Sequence, residues 1–149
     1  MKLQQNTRLA LYSLLEFAAD PDRHISAAEI AGKYELSSHH LAKVLAELAR
    51  AGVVQSVRGV GGGYRFAANA RRLTLMDVIS RFEDISGNGD DTNEHTPAGR
   101  ALAKVLSEVD EIARATMNSI TIATMLRIIE RERAAAAGDT RPRRAPAKG

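Results

Sequence analysis

Ser37-Ser38-His39-His40, followed at once by Ala42 and Lys43, is the densest group of hydrogen-bonding side chains in the chain. Hydroxyls, imidazoles and an ammonium at the start of a helical pattern can bond nucleobase edges or phosphate oxygens, and helix N-terminal amides favour phosphate by themselves. A second group follows at Arg58-Gly59-Val60-Gly61-Gly62-Gly63-Tyr64. An arginine on a glycine-rich tip suits a narrow minor groove of negative potential, and Gly59 lets backbone approach backbone. Other chemistries fit these groups poorly. His39 and His40 point about 100° apart on a helix and have no histidine four residues on, so they do not form a two-ligand metal site. The glycine run lacks the third glycine of a dinucleotide fingerprint and the Lys-Ser/Thr of a phosphate loop, and it leads into a strand. No nucleophile with a positioned base and no metal cage is visible, so the chain reads as a non-enzyme without a cofactor.

Composition narrows the class further. The 149 residues are 44% apolar and 26% charged, with three Tyr, three Phe and no Trp. Such a chain fills one domain, or a small domain with an appendage, around aliphatic helix faces. Cysteine is absent, which removes disulfides, thiolate zinc sites, Cys-ligated iron-sulfur clusters and Cys nucleophiles. No apolar run reaches membrane-spanning length, and the first residues lead into no secretory stretch, so a cytoplasmic location is expected. Net charge is +3, unevenly spread: residues 1–72 hold ten Lys/Arg against six Asp/Glu, 73–137 hold seven against eleven, and 138–149 hold four against one. A basic first part suits a polyanion and an acidic second part should face away from it.

The elements that must position these groups follow from periodicity. Leu11, Leu14, Leu15 and Ala18 recur at helical spacing within 7–19, and Asp20-Pro21-Asp22 ends that helix. Ser26-Ala27-Ala28-Glu29 is a capping box for a short helix over 27–34. Ser37 or Ser38 caps a third helix reaching about residue 51, with Leu41, Val44, Leu45 and Leu48 inward and Gly52 as its left-handed stop. Short helix, tight turn and longer helix make a helix-turn-helix. Two short strands, 53–57 and 64–67, flank the glycine run as a hairpin, the wing. Thr74 caps a helix to about residue 84, a polar loop fills 85–96, and Thr96-Pro97 starts a long helix to about 117. Leu102, Val105, Val109, Ile112 and Thr116 form an apolar stripe along it, suited to pairing with a second copy. A last helix over 122–137 leads to a basic tail read as disordered.

The expected fold is therefore mainly α with a small β-hairpin. A winged helix-turn-helix domain over 1–84 is followed by the loop 85–96, a dimerisation helix and final helix over 97–137, and the tail 138–149. The expected DNA-contacting residues are Ser37, Ser38, His39, His40, Ala42, Lys43, Arg58, Gly59 and Tyr64. A winged helix that binds protein instead is the alternative; it lacks the steep salt dependence of phosphate contacts.

The run from Leu36 to Leu45, the run from Leu48 to Gly59 and the wing Gly61-Gly62-Gly63-Tyr64 resemble the IscR/NsrR (Rrf-two) family of bacterial transcription regulators. The likeness extends over nearly residues 1 to 130. His95-Thr96-Pro97-Ala98-Gly99-Arg100 and Ser119 to Leu126 look like that family's nitric-oxide-responsive branch. The resemblance implies a homodimer joined through the long helix, acting on double-stranded DNA at a pseudo-palindromic operator, and the expected action there is repression. It puts His39, Ala42 and Lys43 on the base-reading surface and Arg58 in the minor groove. It also implies three cysteine ligands before the dimer helix, and this sequence has none, with Gly99 in the last one's place. Asp90, Asp91, Glu94 and His95 are the only hard ligands in that loop, and an acidic loop of this kind is ordinarily solvated. The signal stays open: a small-molecule effector, a protein partner or none.

Overall fold

The computed structural model describes residues 2–84 and 92–139. Eight elements follow in the order α1 (Gln5–Ala19), α2 (Ala27–Tyr34), α3 (Ser38–Arg50), β1 (Val54–Val57), β2 (Gly63–Phe66), α4 (Leu75–Ile79), α5 (Pro97–Ser119) and α6 (Ile122–Asp139). The fold is mainly α with one antiparallel hairpin, as the periodicities require. Among the described residues no helix is long and apolar enough to cross a membrane.

Local chemistry sets most of the boundaries. Glu29 N donates to Ser26 Oγ at 3.2 Å at the start of α2. Thr74 and Asp77 close a reciprocal capping box on α4. Thr96 caps α5, with Pro97 in its first turn. Gly52 ends the α3 corner with φ +74°, the left-handed conformation that glycine adopts without a Cβ clash. Helix α2 ends at Tyr34 as expected, and its stop is Glu35, a non-glycine residue at φ 52°, whose amide and that of Leu36 both donate to Ala31 O. Two boundaries differ from expectation. Helix α4 is only one turn, because past Ser80 the chain tightens: Arg81 N and Phe82 N donate three residues back, to the Val78 and Ile79 carbonyls. Helix α6 continues through Gly138 to Asp139, so the tail cannot begin at 138. The remaining tail, 140–149, lies outside the described residues, as does 85–91 of the expected loop.

The main core is assembled from Leu9, Leu14 and Phe17 of α1, Ile30 of α2, and Leu41, Val44, Leu45 and Leu48 of α3. Val54 and Phe66 bring the hairpin onto it. Ile122, fully buried, belongs to the same cluster. The final helix is thus packed into the winged-helix core although the chain reaches it only after α5.

A run of backbone bonds fixes that return. Leu75 N donates to Ile120 O at 2.9 Å, Ile122 N to Leu73 O at 2.8 Å and Ala123 N to Ala70 O at 2.8 Å. Met117 of α5 packs with Met76 and Ile79 of α4. Ile122→Ala should therefore destabilise the whole domain by about 2–5 kcal/mol, lowering the urea midpoint in a single transition. A loss confined to α6 helicity, with the main transition unmoved, would contradict this packing.

Candidate nucleic-acid interface

Helix α3 is held by one face. At 3.6 residues per turn, Leu41, Val44, Leu45 and Leu48, each at most 1% exposed, cluster on one side, so His39, Ala42, Lys43 and Ala46 fall on the opposite side. All four are exposed, as are Ser37, Ser38 and His40. Ser37 is the N-cap residue by position, though its side chain makes no capping bond. Its hydroxyl is left for another partner. The His39 and His40 rings meet edge to face with centroids 6.1 Å apart. His40 lies toward the flank of the reading face and, with Lys43, borders a shallow recess whose other wall is Gln4, Gln5 and Asn6. Gln4 is held there by its backbone N–H, which donates to Glu83 Oε1 at 2.7 Å.

These three amide side chains were not expected at the interface from sequence. They stand at the start of α1, far from residue 40 along the chain, and only the packing of α1 across α3 brings them beside it. The polar run Gln4-Gln5-Asn6 ahead of an amphipathic helix was the available signal.

The wing is anchored on two sides. Strand β1 pairs with β2 in the register Val54 to Phe66 and Ser56 to Tyr64. Tyr64 also exchanges both backbone bonds with Ile25, each at 2.9 Å, so the segment before α2 acts as a third short strand. Gly63 permits this approach: a Cβ there would lie 2.5 Å from Ile25 O. On the outer face Arg65 is tied across the hairpin to Gln55 Oε1 at 2.7 Å. Arg58 is exposed at the end of β1, beside Gly59 at φ 111° and the wholly exposed Val60. Among the described residues neither Arg58 nor Lys43 makes an ion pair, whereas Lys33 and Arg50 are bound to Glu16 and Glu47. Tyr64 behaves differently from the rest of the expected set. It is half-buried against the core with its ring 6.3 Å from that of Phe17, so its side chain seats the wing.

Helix α5 presents its stripe outward. Leu102, Val105, Val109 and Ile112 are 53%, 57%, 55% and 68% exposed. Thr116 is exposed in line with them. Leu106, at 49%, widens the same stripe and was not singled out from sequence.

A helix-turn-helix whose second helix turns its polar side outward, flanked by a pinned hairpin, defines the winged-helix class of transcription regulators. The chain belongs to the Rrf2 family, described as "Iron-dependent Transcriptional regulator", whose profile matches residues 3–128. It is 50% identical over 137 residues to the HTH-type transcriptional regulator BadM of Rhodopseudomonas palustris, covering 89% of this chain and 86% of that one. Among solved structures it is similar to CymR (YrzC), the global cysteine regulator of B. subtilis, with TM-score 0.74 and 26% identity over 86% of this chain and 98% of that one. T. potens IscR is similar at TM-score 0.71 and 26% identity, covering 89% and 90%.

Iron is part of the family's description, and the loop before α5 does not suit a thiolate-held cluster. These 149 residues contain no cysteine. Gly99, at the last ligand position implied by the resemblance, is buried, and a Cβ on it would lie 1.9 Å from Asn93 O. Backbone fills the place where a ligating side chain would project. Gly99 N donates to Thr96 Oγ1 at 3.0 Å, and Thr96 Oγ1 donates to Asn93 O at 2.8 Å, closing the loop on the helix start. Asp90 and Asp91 lie outside the described residues; Glu94 and His95 are exposed, with His95 Nδ1 2.9 Å from Thr92 O. Among the described residues no three His, Cys, Asp or Glu side chains gather as a metal site. Protein produced with ample iron and purified anaerobically should show no visible sulfur-to-iron absorption. A brown preparation whose iron persists through gel filtration would overturn this.

Proposed function

We propose that two copies of this chain bind one pseudo-palindromic DNA operator and repress transcription from it. The observation that carries the reading is the joint exposure of Lys43 on α3 and Arg58 on the wing, in a chain whose family and relatives are transcription regulators. A helix about 10–12 Å across fits a major groove about 12 Å wide. In that groove His39, Ala42 and Lys43 face base edges, the Ala42 methyl being suited to a thymine methyl. Ser37, Ser38 and the α3 amides meet phosphate, and His40 with Gln5 and Asn6 meets the flanking backbone. Arg58 enters the adjacent minor groove, and Gly59 lets the strand come close.

The dimer reading rests on α5. A stripe of five large aliphatic residues, each about half exposed or more, is a surface that water disfavours and a second copy would cover. Two-fold pairing through α5 sets two reading heads on successive half-sites. A dimer lying across a promoter obstructs polymerase without any further contact, which is the reason for reading it as a repressor. DNA as the partner also puts the protein in the cytoplasm.

On a duplex selected by the protein from a randomised pool, Arg58→Ala should weaken binding by roughly 1–3 kcal/mol. Lys43→Ala should lower the slope of log affinity against log salt by about 1. Binding without salt dependence, or indifferent to both changes, would refute the assignment. Ile112→Asp puts an unpaired charge into the paired stripe and should convert dimer to monomer in sedimentation at micromolar concentration. A wild-type chain that is already monomeric there defeats the dimer reading.

A further inference from the structure

A cleft lies away from both the reading face and the α5 stripe, where α6 crosses α1 and the end of α2. It has a volume of about 590 Å³, within the range of small-molecule sites. Leu15 and Ala19 of α1 and Leu126 and Ile129 of α6 give it apolar walls. One end is closed by a stacked aromatic pair, Tyr12 and Tyr34, with ring centroids 4.9 Å apart and planes 14° from parallel.

Polar groups gather at a single point on its rim. Glu16 Oε1 accepts from Lys33 Nζ at 2.5 Å and also from the Tyr34 hydroxyl. Arg133 of α6 is another rim residue, and its NH1 donates to Glu130 Oε1 at 2.5 Å. Burial pushes the Glu16 carboxyl up, yet the bonds from Lys33 and Tyr34 and the charges of Lys33 and Arg133 outweigh it and hold the pKa below its ordinary value. Lys33 of α2 and Arg133 of α6 thus line one cleft from two helices. Lys33 has three N–H donors and Arg133 five, and each spends one on a carboxylate, Lys33 on Glu16 and Arg133 on Glu130. Donor capacity is in surplus, and a guanidinium beside an ammonium suits a bidentate oxyanion.

We propose that this cleft binds a small organic anion, with the apolar body between α1 and α6 against the Tyr12–Tyr34 stack and the acidic head on Lys33 and Arg133. Such an occupant touches the last turn of α2, directly before the turn into α3, and so gives an effector a place from which to bear on the helix-turn-helix. Binding itself does not depend on the DNA reading, and the two fail separately.

The test uses 8-anilinonaphthalene-1-sulfonate and N-phenyl-1-naphthylamine, the same aromatic body with and without the anionic head, titrated by fluorescence into the full chain. Saturable sulfonate binding at one site per chain is expected. Arg133→Gln, an exposed change on α6, and Lys33→Gln should each weaken it at least tenfold, leaving N-phenyl-1-naphthylamine unaffected. Ile112→Asp on the α5 stripe should leave the site's affinity for the sulfonate unchanged. Failure of the sulfonate to bind, binding indifferent to both cation changes, equal weakening of the two probes, or loss of the site with Ile112→Asp would each overturn the proposal. Circular dichroism matching the parent chain accompanies each variant, and Arg133→Gln alone decides the matter if Lys33→Gln does not fold.

Discussion

The arrangement depends on the one-sided burial of α3. Leu41, Val44, Leu45 and Leu48 are taken into the core by α1 and α2, and helical geometry then leaves His39, Ala42 and Lys43 no direction but outward. The same contacts that stabilise the domain therefore orient its reading face. A core change that rotated α3 by one residue, about 100°, would swing Lys43 toward the flank and a leucine toward solvent. The rest of the fold serves this placement: α1 backs the helix, Glu35 bends the chain into it, and Gly52 turns the chain from α3 into the wing.

The second organising feature is the corner between α5 and α6. Bonds from Leu75, Ile122 and Ala123 stitch it to 70–75 and to the start of α4, and Ile122 drives it into the common core. The outward helix and the reading head are consequently parts of one packed body. Helix α5 is joined to that body through Met117 against α4, and α6 returns over α1 and the end of α2. The cleft at that crossing is the place where all three helices are felt at once.

The segment before α5 is closed by backbone where the resemblance implies a ligating side chain. The fold follows CymR and IscR over most of the chain, yet at Gly99 the Asn93 carbonyl occupies the space of a side chain. The loop is closed by its own hydrogen bonds through Thr96. Backbone packing fills that space, while the stacked Tyr12–Tyr34 pair, Glu16, Lys33 and Arg133 line the cleft between α1, α2 and α6.

Reading the chain alone recovered the features that depend on neighbours in sequence. The Ser26 cap, the Thr74 capping box, the Thr96-Pro97 start, the Gly52 stop and the inward face of α3 are set by spacing and by side chains bonding to backbone three residues away, so they are legible without coordinates; the Glu29 half of the expected Ser26 box is not formed, because that carboxylate lies on Arg23. The outward residues of α3 and the wing position of Arg58 follow from the same periodicity. What needed the tertiary structure were contacts between distant segments: Gln4, Gln5 and Asn6 beside His40, Tyr64 turned to Phe17, Ile122 in the winged-helix core, and Lys33 and Tyr34 on the Glu16 carboxylate in the cleft that Tyr12 and Arg133 also line. No local pattern encodes these, because each is decided by which surfaces remain to be buried once the helices have formed. The left-handed Glu35 and the single turn of α4 belong with them, since there the demands of packing overrode the preferences of the residues themselves.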